Sequence, residues 1–185
     1  MTKEARNPNG ETGIVELTIK TPDGEFLARY SEKGLCSLDF PSLRKRPGGG
    51  QQTQAARASA AVGEWHAATE RAIVRALAGQ PPGDVPPLDL SSGTDFQQRV
   101  WGTLRQIARG ETWSYAQVAR AIGQPKAVRA VGGACGANPI PVLVPCHRVV
   151  VAHQRLGGFS GGLHWKRTLL AREGIRLAGE RNVTG

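Results

Sequence analysis

The sequence has little of what builds a disulfide framework, a metal site or a membrane anchor. Its 185 residues include only three cysteines (Cys36, Cys135 and Cys146) and four scattered histidines. Because no CxxC or HExxH spacing occurs, we expect neither a disulfide scaffold nor a bound metal. No apolar run approaches the length of a membrane span, and the polar N-terminus lacks a signal-peptide core. We therefore expect a cytoplasmic protein with reduced cysteines and no membrane partner.

Acidic residues are also scarce relative to basic ones. Fifteen Asp and Glu stand against 24 Lys and Arg, most of them Arg, which gives a formal net charge of +9. Guanidinium groups match the geometry of phosphate, so this balance favours a polyanionic partner such as nucleic acid. On charge alone, a merely basic domain is an equally good alternative. The length of 185 residues is enough for one sizeable domain or two small ones, and the hydrophobic content of 39% is enough for a packed core.

The N-terminal part predicts a small antiparallel sheet. Strand-like runs cover Ile14–Lys20, Glu25–Tyr30 and Gly34–Phe40, and turn signals separate them. Residues 1–12 are typical of a loose tail. The basic, glycine-rich segment Arg44–Gln54 indicates a flexible loop.

A helix and a proline-rich segment follow the sheet. An apolar stripe at helical spacing predicts the helix over Glu64–Leu77. Prolines from Gln80 to Gly93 exclude a helix there and indicate a connection between two lobes. We expect an N-terminal lobe over residues 1–85, a linker over 86–93 and a C-terminal lobe over 94–185.

The C-terminal lobe reads as mostly helical. Capping boxes at Thr94–Gln97 and Ser114–Gln117 each open a predicted helix. A tight turn then leads to a further helix from about Pro125 to Gly136, which makes a helix-turn-helix candidate. A short apolar strand is expected over Val142–Val144, and a last helix over about Gly162–Arg172. The expected fold class is α+β, with a small sheet-plus-helix lobe and a mostly helical lobe that carries the helix-turn-helix.

The helix that ends near Gly136 is unusually rich in glycine. Each glycine inside a helix costs roughly 1 kcal/mol relative to alanine, so a reason is needed. Close approach of another backbone is one reason, and that backbone could belong to DNA or to a neighbouring helix. Helical spacing separates an expected core face from a second face. The core face holds Val128, Val131 and Ala134, and the second face holds Arg129, Gly132, Gly133 and Gly136.

The segment Pro145–Arg148 is the candidate reactive centre. A free cysteine is often only a small buried hydrophobe. However, Cys146 follows an apolar run and stands beside His147, and a nearby His or Arg helps convert a thiol to the nucleophilic thiolate. In an extended segment the two side chains would point to opposite faces, so either the chain bends or a water links them. Glu173 is the best candidate for the acid that orients His147.

An ordered series of segments closely resembles the O6-alkylguanine-DNA alkyltransferases, also called methylated-DNA–protein-cysteine methyltransferases. The resemblance covers about residues 90–175. The matching segments are TDFQQRV (Thr94–Val100), GETWSYA (Gly110–Ala116), RAVGGA (Arg129–Ala134), Asn138-Pro139, PCHRVV (Pro145–Val150), FSGGL (Phe159–Leu163) and LLAREG (Leu169–Gly174). An ordered series of this kind is far more specific than any single element.

The resemblance implies a set of catalytic roles. Cys146 would accept the alkyl group, and His147 would deprotonate it through a water. Glu173 would orient His147, while Asn138 would link the DNA-binding helix to the active site. Tyr115 would contact the flipped base and help protonate the departing guanine. Purely structural roles are the alternatives: Tyr115 could simply pack within its helix, and Glu173 could be a solvated residue at a helix end.

The family resemblance also implies a pocket for the base and a surface that contacts DNA. The carbonyls of Cys146 and Val149 would accept from the exocyclic amine of guanine, and Ser160 would line the pocket, although a plain turn residue is the alternative. Phe159 stands where many members carry a tyrosine, so a hydroxyl contact is lost. Arg129 would replace the extruded base in the stack, on a helix seated in the minor groove. Its neighbours on that surface would be Ala130, Gly132 and Gly133.

The implied function is direct-reversal DNA repair. O6-alkylguanine, with O4-alkylthymine as a further substrate, would be flipped from double-stranded DNA and lose its alkyl group irreversibly to Cys146. The reaction would need no metal or organic cofactor, and we expect a monomer that could bind DNA cooperatively. Rival interpretations are a lesion-binding protein without transfer, a transcriptional regulator and a cysteine protease. Known lesion-binding relatives lack the acceptor cysteine, which is present here as Cys146. A transcriptional regulator would leave the PCHRVV segment unexplained. The third has no use for a basic surface and a glycine-rich helix.

Overall fold

The computed structural model describes residues 13–41, 59–151 and 156–176. The expected N-terminal tail and the expected loop at Arg44–Gln54 lie outside the described residues. The fold class is α+β, with a three-stranded sheet and a two-stranded sheet among five α-helices within the described ranges.

The N-terminal sheet is the predicted meander. Strands β1 (Val15–Thr21), β2 (Gly24–Ser31) and β3 (Gly34–Asp39) pair antiparallel in the order β1-β2-β3. Each strand begins and ends within one residue of the sequence prediction. Alternate residues of β2 point into the core, which is why the period-two pattern was informative. The buried residues of β2 are Phe26, Ala28 and Tyr30.

Helix α1 (Ala60–Leu77) begins four residues before the predicted start, because Ser59 caps it by accepting from the Val62 N–H at 3.3 Å. The proline-rich segment that follows lies along the edge of β3. Leu35 donates to the carbonyl of Pro87 at 2.9 Å and accepts from the N–H of Asp89 at 2.8 Å. The segment expected to be a linker therefore adds a short parallel bridge to the sheet.

The two capping boxes are confirmed. Thr94 and Gln97 cap helix α2 (Asp95–Leu104) reciprocally, and Ser114 and Gln117 do the same for α3 (Tyr115–Ala121). These signals are local, since each box satisfies orphan N–H groups within one turn of the helix.

Helix α4 (Val128–Gly136) begins later than predicted. Pro125 lies in the preceding turn, which the Ala127 N–H closes by donating to the Gln124 carbonyl at 2.9 Å. Val128 at the first turn is 36% exposed, so its placement in the core was wrong. Val131 and Ala134 are buried as expected, and the Trp101 indole N–H donates to the Ala134 carbonyl at 2.8 Å.

The strand predicted over Val142–Val144 is absent, and this part of the described chain is a turn. Val142 has a φ of +74°, which is strained for a β-branched residue. The Val144 N–H donates to the Ile140 carbonyl at 2.9 Å and closes the turn. A short apolar run shows only that a segment is buried, so its apolarity did not establish a strand.

The remaining elements follow the turn. A 3₁₀ helix covers Cys146–Arg148, and strand β5 (Val149–Val150) pairs in parallel with β4 (Trp113–Ser114). Helix α5 (Leu163–Arg172) begins one residue after the predicted start. Within the ranges that the structure covers, no helix is both long and apolar enough to cross a membrane.

The hydrophobic core is continuous between the two halves of the chain. Residues of the sheet and of α5 belong to one cluster, and the Trp165 ring contacts Phe26 at a centroid distance of 5.4 Å and Phe40 at 4.8 Å. The N-terminal sheet therefore packs directly on the helix that ends at the expected active site.

Candidate active site and nucleic-acid interface

Cys146 lies at the start of the 3₁₀ helix, where the chain bends immediately after the turn. Its residue is only 3% exposed. The backbone N–H of Cys146 donates to the Val144 carbonyl at 2.8 Å, and the amide Nδ2 of Asn138 donates to its Sγ at 3.0 Å. The thiol is thus held by both the backbone and a side chain.

Asn138 connects this thiol to helix α4, which ends two residues before it. Besides the thiol, its Nδ2 donates to the Val144 carbonyl at 2.8 Å, and its Oδ1 accepts from the Ile140 N–H at 3.1 Å. All these partners are buried, so the amide is satisfied and its orientation is fixed. A displacement at the end of α4 would therefore change the hydrogen bond between Asn138 and the Cys146 sulfur.

His147 and Glu173 form a buried pair. His147 is 1% exposed, and its Nε2 lies 3.0 Å from Oε1 of Glu173, which caps the end of α5. Arg148 donates to both carboxylate oxygens of Glu173, at 2.8 and 3.0 Å, and to the Ile107 carbonyl at 2.7 Å. Burial alone would raise the pKa of Glu173, but hydrogen bonds from His147 and Arg148 outweigh it and lower that pKa to about 2.

The ionised state of Glu173 fixes the tautomer of His147. A carboxylate only accepts, so Nε2 of His147 must carry the proton. Burial lowers the pKa of His147, which keeps the ring neutral at neutral pH. Nδ1 is then an unprotonated lone pair, and it is buried with no hydrogen-bond partner among the described residues. His147 is arranged to accept a proton at Nδ1.

Cys146 rests as a thiol. Burial raises its pKa, while the hydrogen bond from Asn138 and the positive charge of Lys166 oppose that effect only in part. A nucleophilic role therefore requires a base to take the proton when the thiol reacts.

Lys166 is a residue of the site that the sequence analysis missed. It is fully buried in α5, and its Nζ donates to the Val149 carbonyl at 2.7 Å. Burial lowers its pKa. A signal was available, because Lys166 shares a helix face with Leu169 and Leu170, both buried, and a lysine on an apolar stripe calls for a partner.

Tyr115 opens α3 and is partly buried. Burial, followed by the nearby thiol groups, raises its pKa to about 12, so its hydroxyl stays protonated. Gly157 lies against this hydroxyl and Gly132 of α4 lies beside the ring, where an added Cβ would come within 3.8 Å of it. Tyr115 thus occupies the space between α4 and the segment before Phe159.

The residues implied for base binding lie at different depths. Phe159 is partly buried and stacks edge-on against Phe40 at 5.6 Å, whereas Ser160 is exposed. The carbonyl of Val149 already accepts from Lys166, and the carbonyl of Cys146 accepts from the Val149 N–H. Each carbonyl retains a second lone pair for a ligand.

Helix α4 presents a smooth outer surface. Arg129, Ala130, Gly133 and Gly136 are exposed. A Cβ added at Gly133 or Gly136 would meet no atom of the described chain within 4 Å. Tight internal packing therefore does not account for these two glycines.

A cavity of about 340 Å³ borders the buried pair from another direction. Both halves of the chain line it, including Val85 of the proline-rich segment and Arg105, and it reaches His147 and Glu173. Cys146, Tyr115 and Phe159 are not among its lining residues, so this cavity is separate from the expected base pocket. Across residues 13–41, 59–151 and 156–176, no group of three or more His, Cys, Asp or Glu side chains could hold a metal ion.

Residues 95–175 match the family described as 6-O-methylguanine DNA methyltransferase, DNA binding domain. A methylated-DNA–protein-cysteine methyltransferase of Methanosarcina barkeri is 37% identical over 160 residues, which cover 84% of this chain and 94% of that protein. The solved structure of Mycobacterium tuberculosis OGT in complex with DNA aligns with a TM-score of 0.65 and 36% identity, covering 85% of this chain and 91% of that one.

The chain belongs to the methylated-DNA–protein-cysteine methyltransferase family. The family resemblance drawn from the sequence is thereby confirmed. The bifunctional transcriptional activator/DNA repair enzyme Ada of Escherichia coli is 40% identical over 178 residues, which are 94% of this chain but 49% of Ada. The chain thus spans about half the length of that relative.

Proposed function

We propose that this protein repairs alkylated guanine in double-stranded DNA by transferring the alkyl group from O6 of the base to Cys146. The observation that carries this proposal is the Asn138 amide, which joins the end of α4 to the buried Cys146 thiol. A helix with a smooth outer surface and a nucleophile are thereby parts of one rigid unit. The names of the relatives, and a relative's structure with DNA, support the same activity.

The DNA surface is the exposed face of α4. Its glycines let a nucleic-acid backbone approach closely, and the excess of arginine on the chain attracts phosphate. The target oxygen is paired inside the duplex, so the base must be extruded before it can react. Arg129, exposed on the same face, would fill the gap that the base leaves in the stack.

The chemistry begins with loss of the thiol proton. Nδ1 of His147 accepts the proton of Cys146 through a water, and ionised Glu173 stabilises the imidazolium that results. Asn138 and Lys166 favour the thiolate by hydrogen bonding and by charge. The site thus forms the thiolate when it is needed and keeps a thiol at rest.

The thiolate then attacks the alkyl carbon. A carbon–sulfur bond forms and the carbon–oxygen bond to the base breaks, so the electron pair goes to guanine. The protonated Tyr115 hydroxyl gives its proton to the departing base, which becomes ordinary guanine, and the proton that His147 took from the thiol returns to Tyr115 through solvent. Because water does not cleave the thioether on Cys146, each protein molecule reacts once.

The pocket for the base would lie between Tyr115 and Phe159, with Ser160 at its rim. Backbone carbonyls of Cys146 and Val149 would read the exocyclic amine. We include O4-alkylthymine as a second substrate, because its alkyl carbon is bonded to an equivalent exocyclic oxygen. Binding of one lesion by one monomer satisfies this chemistry.

Mass spectrometry tests the proposal. The protein is incubated with excess duplex DNA that contains O6-methylguanine, and we expect one added methyl group per molecule, on the peptide that holds Cys146. Cys146→Ser should accept none yet still bind the lesion, because a hydroxyl is far less acidic than a thiol. A methyl group on Cys135 or Cys36, or repeated turnover by unmodified protein, would exclude the mechanism.

A further inference from the structure

The turn between β1 and β2 contacts the C-terminal end of α5. Arg172, the last residue of α5, donates from Nη1 and Nη2 to the two carboxylate oxygens of Asp23, at 2.8 and 2.7 Å. A two-point contact of this kind fixes orientation as well as distance. The Arg172 side chain is 32% exposed and that of Asp23 is 24% exposed, so water reaches the pair only in part.

The sheet presents Asp23 in a defined position. Thr21 Oγ1 accepts from the Asp23 N–H at 3.2 Å and donates to the Gly24 carbonyl at 2.7 Å. Gly24 adopts a φ of +116°, which a glycine tolerates and other residues do not. The turn is therefore tight, and the Asp23 carboxylate moves with the sheet and not independently of it.

The backbone of Arg172 is held at the same place. Its carbonyl accepts from Nη2 of Arg109 at 3.2 Å, and Gly79 lies so close to that carbonyl that a Cβ there would overlap it. The next residue is Glu173, the carboxylate that sets the tautomer of His147. Contacts to Arg172 therefore act one residue away from the proton relay.

Packing gives Glu173 incomplete support, because the cavity of about 340 Å³ borders both Glu173 and His147. A side chain beside a cavity lacks neighbouring atoms on that side, so its position depends on discrete contacts. Arg148 holds the carboxylate itself. The backbone that carries it is held by the end of α5, where Asp23 binds.

We propose that Asp23 is a positioning residue for alkyl transfer: through its ion pair with Arg172 it holds the end of α5 so that Glu173 stays against His147. This inference rests on the function proposed above. It also gives the N-terminal sheet a task in the chemistry, although the sheet contributes no group that touches the substrate.

The test compares Asp23→Asn with the unmodified protein in single-turnover transfer from methylated duplex DNA and from free O6-benzylguanine. Asn keeps the shape of the turn and removes the charge and one acceptor. We expect transfer to slow about tenfold on both substrates, as small misplacements of reacting groups do, with DNA affinity unchanged. The deficit should shrink only as the pH rises past the ordinary pKa of a thiol, because burial raises the pKa of Cys146 and delays its ionisation without the relay.

Two further variants make the result decisive. Asp39→Asn removes an ion pair with Arg29 (2.8 Å) that lies wholly within the sheet, and it should leave the rate unchanged. Asp23→Glu restores the carboxylate and should recover most of the rate. Equal rates for Asp23→Asn and unmodified protein, or a loss that is the same at every pH, would overturn the inference. Absence of transfer by the unmodified protein would instead refute the proposed function.

Discussion

Burial acts on Cys146 and Glu173 in the same direction, but their partners lead to opposite outcomes. The thiol receives one amide hydrogen bond, and its pKa stays above its usual value. The carboxylate is bonded by His147 and Arg148, and its pKa falls to about 2. The site therefore combines a neutral thiol with a carboxylate that is ionised at neutral pH. Neutral His147 is hydrogen-bonded to that carboxylate and is adjacent to Cys146 in the sequence.

The lowered pKa of Glu173 predicts a loss of stability in acid. Its folded pKa of about 2 lies below the ordinary value of 4.5, so its contribution is complete above about pH 4.5 and is lost as the pH falls towards 2. A shift of this size corresponds to roughly 3 kcal/mol at most. In denaturant titrations at a series of pH values, Glu173→Gln should flatten this part of the stability curve. A curve that keeps the unmodified slope would show that folding does not lower the pKa of Glu173.

Two contacts between residues that are distant in the sequence could not be predicted from it. The spacing of Asp23 and Arg172 gives no sign that they meet, and the Val149 carbonyl to which Lys166 donates lies 17 residues away. Cys146, His147 and Glu173 were candidates for the nucleophile, its base and the orienting acid from the residues alone, and the family resemblance added the role of Cys146 as alkyl acceptor. The structure adds which nitrogen of His147 faces Glu173, which no sequence pattern determines.

Helix α4 combines poor helix formers with an exposed position. Gly133 and Gly136 face open space, so alanine would fit at either without a clash. Glycine at these positions makes the helix less stable than alanine would, so a role of the exposed surface is the reason to expect. Contact with a nucleic-acid backbone is the use that the proposed function supplies.

Gly133→Ala should therefore have opposite effects on stability and binding. Thermal or denaturant unfolding should show a gain of about 0.5–1 kcal/mol, because alanine is the better helix former. Affinity for duplex DNA should fall, since the added methyl group holds the backbone away. Gly63→Ala in α1, which is equally unobstructed, is the matched control and should give the stability gain alone. Unchanged DNA affinity in Gly133→Ala would place the DNA surface elsewhere.

Local signals explain which elements could be predicted. The capping boxes at Thr94 and Ser114 satisfy the backbone within one turn, so they identify helix starts without tertiary information. The apolar run at Val142–Val144 is buried, but it forms a turn in which Val142 adopts a positive φ, and apolarity alone does not distinguish such a turn from a strand. Proline is as favourable in the first turn of a helix as in a separate turn, so the sequence did not decide between them for Pro125. In the structure Pro125 lies in a turn that closes before α4 begins.

The molecule as a whole is organised around one core. Buried residues of β1, β2 and α1 belong to the same cluster as those of α2, α4 and α5. The sheet also donates from the Leu38 N–H to the Pro139 carbonyl at 2.8 Å, directly beside Asn138. The N-terminal half is thus in contact with both ends of the site.

A shared core predicts a single unfolding transition. Ile19→Ala in β1 removes a fully buried side chain and should cost about 2–5 kcal/mol. In a Trp65→Phe background, the remaining tryptophans are Trp101, Trp113 and Trp165 of the C-terminal half. Their fluorescence should shift to lower denaturant together with the far-ultraviolet circular dichroism. Two separated transitions, with the tryptophan signal unmoved, would mean that the halves fold independently.

The N-terminal half of the chain shields the Trp165 ring from solvent. Phe26 and Phe40 cover its ring, and both lie outside the segment that matches the DNA-binding domain of the family. Excision of residues 95–175 would uncover this indole and the apolar residues around it. Such a fragment would carry every group of the reaction and yet tend to self-associate, because a large exposed apolar patch promotes aggregation. The N-terminal sheet therefore sets the smallest form of this protein that stays in solution, besides holding Arg172 through Asp23.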